Sequence, residues 1–499
     1  MSQTPSPAAA PDVFPPVTSD QWTQLVEREL KGEPTSSLTT HNREGYRLRP
    51  VYGLSDQPPG VDQPPGSAPF RRGPLPVDAV PDAVPHIVLQ RHVDTDLAAL
   101  HEAVMEDVDG GVTGLWIDLR ASGITEAIQL ESVLAGVDVK TLRRLTLDGS
   151  SDGVRRLAMV QGWLLSRATP PAQIALGLRL DPLGTLARDG VLPGSLESAL
   201  DNLAETVRVC LNDLPAALPI TLTSQPIHDA GGSLLHSIGW LLANGAFVLR
   251  SLEDRGLPPH QVAPRIELHL PLGRDVFSGI AAVRALRVCW TKLLSACGLT
   301  SPPPARVHAD CSRTAASPKD PWVNALRNTA QVFAGMLAGA DAITCAPWDM
   351  PLGLPDSTSR RLARNTHFVL GEEAHLSRIA DPTGGSYHVE DLTEELSRAS
   401  WAALRSIEAR GGAADALVSG WIKQRLDSVW EERVQEIQTK KERITGVSAF
   451  PNPSEEIPER RPAPRVNPSE LDGLRIDPLP LRTDIEAWTT NDTLSKGSR

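Results

Sequence analysis

Few residues in this chain carry the spacing that chemistry needs. Cys345 closes the apolar run DAITCAP and could in principle act as a nucleophile, but no histidine follows as an evident base. Glu372 and Glu373 stand three and two residues before His375, a cluster able to suggest acid–base or metal chemistry, yet no second ligand lies at metal spacing. Asp381-Pro382-Thr383-Gly384-Gly385 is turn chemistry, its glycines free to take positive φ. The five cysteines are scattered, form no C-x-x-C pair and are odd in number, which points to free thiols in a reducing cytoplasm. A formal charge of −12, with no basic stripe, argues against nucleic acid. No apolar run reaches the roughly 18 residues that span a bilayer, so no membrane is expected, and no secretory signal is visible.

The elements that must position any site follow from periodicity. Residues 1–16 are rich in Pro and Ala and read as mobile. SDQWTQLVEREL reads as an amphipathic helix capped by Ser19 or Asp20, and the proline-broken stretch 48–81 completes an N-terminal arm over residues 1–83. From residue 84 to 387, short apolar runs recur at 86–90, 112–119, 144–149, 174–181, 218–224, 265–270, 306–310 and 341–347, with helical stretches between them. The clearest helix is 233–256, with Leu234, Leu235, Ile238, Leu241, Leu242, Val248, Leu249 and Leu252 on one broad face. Eight strands alternating with helices predict an α/β fold of the TIM type, a parallel (β/α) barrel. An open doubly wound sheet is the competitor, but no Gly-rich phosphate loop opens any helix. Residues 388–449 read as a charged helical extension, and 450–499 as a Pro-rich tail without packed structure.

Residues 361–412 carry R-L-A-R-N-T, E-E, D-P-T-G-G-S-Y-H-V-E and a Trp-bearing helix in that order. This succession resembles the methylmalonyl-CoA mutase family, as do FPPVTSDQW, SAPFRRG, WLLANGAFVLR and KDPWVNALRNT, so that the resemblance covers about residues 14–450. It implies a barrel working with adenosylcobalamin on an acyl-CoA.

The same comparison exposes departures. Where active members have a Tyr-His pair in S-G-Y-H-M-Q-E-A-G, this chain has Gln225 and Pro226, and proline neither donates a hydrogen bond nor exchanges a proton. His228, two residues on, reads as a satisfied loop histidine. Where the resemblance implies R-P-W-T-I-R-Q-Y, the segment from Val84 puts Leu89 for the arginine and Arg91 for the tyrosine. Met350 stands for a glutamate that contacts the cofactor, and Asp310 and Arg313 fall in the degenerate H-x-Q-T-x-G-x-S stretch, with Arg313 in place of a glycine. No histidine follows His388, so none of residues 389–499 supplies the axial ligand of a D-x-H-x-x-G motif, and no cobalamin-binding domain is expected.

The resemblance therefore implies a non-catalytic small subunit, with no catalytic or metal-binding residue of its own. It would be paired with a large catalytic subunit that carries adenosylcobalamin. Two alternatives are a barrel subunit borrowing a separate cobalamin-binding protein, and a degenerate acyl-CoA-binding protein. An imidazole and a phenol, or an arginine clamp, in the barrel mouth would count against silence.

Overall fold

The computed structural model describes residues 17–58, 60–75, 84–149, 152–464, 466 and 471–489. The expected mobile segment 1–16 lies outside the described residues. The chain divides into a small N-terminal unit ending at Asp56 and a large one from Gln57 onward.

In the small unit the expected helix forms over Ser19–Glu29, but its cap is Thr18, not Ser19 or Asp20. Thr18 Oγ1 accepts from the Gln21 N–H at 3.2 Å, and Gln21 Oε1 accepts from the Thr18 N–H at 2.9 Å. This reciprocal box needs a hydroxyl and an amide three residues apart, a requirement only Thr18 meets. A two-residue antiparallel ribbon pairs Thr40–His41 with Arg47–Leu48.

The large unit holds a closed eight-stranded parallel barrel. Its strands are β1 (Ile87–His92), β2 (Gly114–Asp118), β3 (Arg144–Asp148), β4 (Leu176–Leu180), β5 (Leu218–Thr223), β6 (Ile266–Leu272), β7 (Arg306–Cys311) and β8 (Ala342–Thr344). All eight coincide with the runs read from the sequence. Each pairs in parallel with the next, and β8 closes on β1 through Ala342–Ile87 and Ile343–Val88. The long predicted helix spans Leu234–Glu253 and is buried along most of its length. It lies against helix Tyr387–Glu408, the start of the C-terminal extension.

Strand alternation sends every second side chain toward the barrel axis. In the deeper layers Ile87, Leu89, Trp116 and Ala342 cluster, and buried Arg144 pairs with Glu267 at 2.6 Å. The axis is thus filled by side chains.

Residues from Gln57 onward group with the barrel unit, and the expected arm boundary at residue 83 lies outside the described residues. Arg71 and Arg72, from the SAPFRRG segment, reach Glu394 at 2.7 Å and Asp381 at 2.6 Å, so buried charge complementarity binds this stretch down. The C-terminal stretch is also packed where it is described. Gly473–Arg475 adds to Val191–Pro193 as an antiparallel strand, and Ile485 and Ala487 enter a cluster with Ile437, Ile444 and Val447. Its apolar residues are spaced singly among prolines and dock into grooves made by other elements, so no local pattern reveals them.

Between these anchors, residues 459–464 and Val466 form a strap. The Leu354 N–H donates to the Arg461 carbonyl at 2.7 Å, Arg460 pairs with Asp349 at 2.5 Å, and Arg461 pairs with Asp94. Gly353 sits at φ +149°, and a Cβ there would collide with the Arg461 carbonyl oxygen. Gly353→Ala is expected to cost about 1–3 kcal/mol from the strained backbone and lost contact. Limited proteolysis should then cut residues 459–466 faster than in the parent chain.

Candidate functional site

The C-terminal ends of the strands surround a cavity of about 230 Å³, with Pro464 and Val466 of the strap among its lining residues. β1 contributes Arg91, β2 Trp116 and Asp118, β3 Asp148, β4 Arg179 and β6 His269. Helix Gln225–Asp229, directly after β5, contributes Gln225, Pro226 and Asp229, and the loop after β7 contributes Arg313.

Most of these charges are consumed internally. Arg91 pairs with Asp118 at 2.7 Å and lies 5.1 Å over the Trp116 ring. Burial pushes the Asp118 carboxyl up, but Arg91 and the Ala121 N–H outweigh that and hold it low. Arg179 is wrapped more tightly, with Asp148 at 3.4 Å and the Trp116 ring at 4.1 Å. Its φ of +50° accompanies a register irregularity between β4 and β5. That backbone conformation is costly for a side-chain-bearing residue, and the surrounding contacts must hold it.

The histidines beside Arg179 are locked. His269 Nδ1 accepts from Arg179 at 3.2 Å and from Thr223 Oγ1 at 2.8 Å, which leaves Nε2 to donate to Asp310 at 3.3 Å. His308 accepts from Arg179 at 3.3 Å through Nδ1 and donates through Nε2 to Thr344 Oγ1 at 2.8 Å. Burial first, then the neighbouring positive charge or imidazole, keeps both rings neutral by driving their pKa values well below the ordinary range. With both nitrogens of each ring engaged, neither is placed to exchange protons with a bound molecule.

The seven positions singled out in the sequence separate. Arg91, Gln225, Pro226 and Arg313 come together around the cavity. Asp310 lies just beneath, bonded to His269; Leu89 sits one layer deeper in the apolar cluster; Met350 begins a 3₁₀ turn, Met350–Leu352, outside the cavity lining. His228 points away from the cavity, its Nε2 2.7 Å from Ser312 Oγ. Glu372, Glu373 and His375 are exposed, and no group of three His, Cys, Asp or Glu able to hold a metal occurs among the described residues.

Sequence reading missed Trp116, Asp118, Asp148, Arg179, Asp229 and His269. A signal existed for some of them. Polar side chains, most of them charged or imidazole, recur at every second position in Arg144/Thr146/Asp148, Glu267/His269 and His308/Asp310, an alternation that marks a polar barrel interior.

The family model for methylmalonyl-CoA mutase matches residues 120–479, well over half of the chain. The chain belongs to the methylmalonyl-CoA mutase family. It is 36% identical to the methylmalonyl-CoA mutase small subunit of Streptomyces virginiae, over 93% of this chain and 75% of that one. The small subunit from Propionibacterium freudenreichii subsp. shermanii is 31% identical over 92% and 73%, respectively. The mitochondrial methylmalonyl-CoA mutase of Bos taurus is 24% identical over 87% of this chain and 61% of its own.

The mutase-family signatures D-P-T-G-G-S-Y-H-V-E and S-A-P-F-R-R-G meet in one ionic cluster. Asp381 accepts from Arg72 at 2.6 Å and from Arg284 at 2.5 Å, and Glu390 lies beside Arg284 and Arg71. In this chain those motifs hold the scaffold together and do not line the cavity.

Proposed function

We propose that this chain is the non-catalytic small subunit of a heterodimeric, adenosylcobalamin-dependent methylmalonyl-CoA mutase. The partner large subunit carries the interconversion of methylmalonyl-CoA and succinyl-CoA, in the cytoplasm and in the service of propionate metabolism. The observation that carries this reading is the content of the barrel mouth. By the sequence resemblance Gln225 and Pro226 stand for the family's Tyr-His pair, and Gln225 donates its amide to Asp229 at 2.6 Å. Among the described residues no tyrosine lines the cavity, and His269, an imidazole that does, is engaged at both nitrogens.

The mouth also does not fit a flat cofactor. The strap passes over the loop that carries Met350, with the Arg460–Asp349 ion pair and the Arg461 carbonyl seated directly on it. A strap seated in this way supports the reading that cobalamin is held by the partner. Arginines do stand in the mouth, and Arg91 and Arg179 are each paired there with a carboxylate, Asp118 and Asp148.

Assembly tests the reading. Mixed with a barrel chain bearing both S-G-Y-H-M-Q-E-A-G and D-x-H-x-x-G, this chain should co-elute as a stoichiometric complex and raise the melting temperature of that partner. Independent elution, together with turnover on adding only a separate cobalamin-binding protein, would favour the borrowed-cofactor alternative instead.

A further inference from the structure

The Arg313 guanidinium in the mouth is half-buried and makes neither a hydrogen bond nor an ion pair within 4 Å among the described residues, and burial lowers its proton affinity. Beside it, Gln225 is 8% exposed, and its Oε1 has no hydrogen-bond partner; the Arg91 Nε–H is likewise unpaired. All three side chains line the same cavity. Buried polar groups are nearly always satisfied, and a void that stays dry is apolar, which this one is not.

The nearby carboxylates do not resolve the matter. Asp310 is engaged by His269, and Asp229 by the Gln225 amide, and neither reaches Arg313 as an ion pair. What the cavity lacks is a species that accepts from guanidinium groups on one side and donates to an amide carbonyl and a carboxylate on the other. A fully ionised anion meets only half of that demand and is repelled by Asp229. An oxyanion that keeps an O–H meets both.

The geometry points to a binding site for a small protic oxyanion, inorganic phosphate or a phosphomonoester, held by Arg313 and Arg91 while Gln225 Oε1 and Asp229 accept its O–H. Burial raises the Asp229 carboxyl to about 6, which softens its repulsion toward such a ligand near neutral pH. The site concerns ligand binding on this chain alone and stands whether or not the partner carries the chemistry.

The test is calorimetric titration of the full chain at pH 7 with inorganic phosphate, and with sulfate at equal ionic strength. Phosphate should bind saturably at one site, and sulfate, which carries no O–H at that pH, at least about tenfold more weakly. Arg313→Gln should weaken phosphate by about tenfold or more, and Arg313→Lys by less, because the charge is kept. Gln225→Leu should narrow the gap between phosphate and sulfate, which keeps the proposal falsifiable if an Arg313 variant fails to fold. Adenosine monophosphate distinguishes the sources: tighter binding than phosphate identifies the end of a larger molecule, and weaker binding identifies the free ion. Absence of saturable phosphate binding, equal affinity for sulfate, or indifference to Arg313→Gln would overturn the site. None of these results bears on assembly with a large subunit, which is read separately by co-elution.

Discussion

Replacing Arg284 by alanine is expected to lower the unfolding free energy by about 3–5 kcal/mol, among the largest effects available to a single substitution in this chain. Arg284 is 1% exposed and sits in the middle of helix Val276–Ala296. It bridges Asp381 at 2.5 Å and Glu390 at 2.5 Å, both of which are almost wholly buried. Removing this cation leaves the two buried carboxylates only Arg72 and the more distant Arg71, and that undercompensated charge, more than the lost attraction, sets the cost. The same change frees the neighbours of Arg72 and Arg71, so the segment 67–73 should become accessible to protease. Arg284→Met combined with Asp381→Asn and Glu390→Gln should recover much of the loss, since an apolar or neutral set carries no unpaired charge. Urea denaturation of the parent chain, the single variant and the triple variant checks this; a single-variant loss under about 1 kcal/mol would contradict it.

The second large effect is acid sensitivity. His92 and His367 are held to pKa values of about 3 chiefly by burial, and His86, His269 and His308 are also driven well below the ordinary range. His86 Nε2 and His367 Nδ1 share one hydrogen bond at 2.9 Å, so at most one of the two carries a proton there. Unfolding releases all five to an ordinary pKa near 6.5. Below that pH the unfolded chain binds more protons than the folded one, and the stability present above 6.5 is lost as pH falls toward 3. Each such histidine contributes a slope of about 1.4 kcal/mol per pH unit in that window. Asp229, raised to about 6 by burial, works in the opposite sense: its folded form takes up a proton first, returning some stability between pH 6 and 4. With five histidines against it, the net slope remains downward. Denaturant midpoints should be level from pH 8 to 7 and fall steeply from 6.5 to 5.5, and His367→Gln should make the fall shallower. A flat profile across that window would contradict the buried, neutral assignment.

The architecture was readable because the eight strand runs are apolar or β-branched and the spacing between them accommodates one helix each. Residues such as Val88, Ile117, Leu145 and Ile220 are buried by the same alternation that revealed them. The strap was not readable. Pro464, Val466 and the flanking arginines have no periodicity, and their place is set by Asp94, Asp349 and Asp356, more than a hundred residues away in sequence. The site was half readable. Gln225, Pro226 and Arg313 were identified by what they replace. Arg179 depends on a positive φ inside a strand that no sequence pattern announces. The pairing of Asp118 with Arg91 and of Asp148 with Arg179, which neutralises the mouth, is set only once the strands are closed into a ring.

The most direct check on a silent barrel is a rate measurement on the purified chain by itself. Supplied with adenosylcobalamin and methylmalonyl-CoA, it should form succinyl-CoA no faster than buffer does, and it should show product only after a large subunit is added. Steady product formation by the single chain, proportional to its concentration, would mean that this mouth performs the chemistry after all.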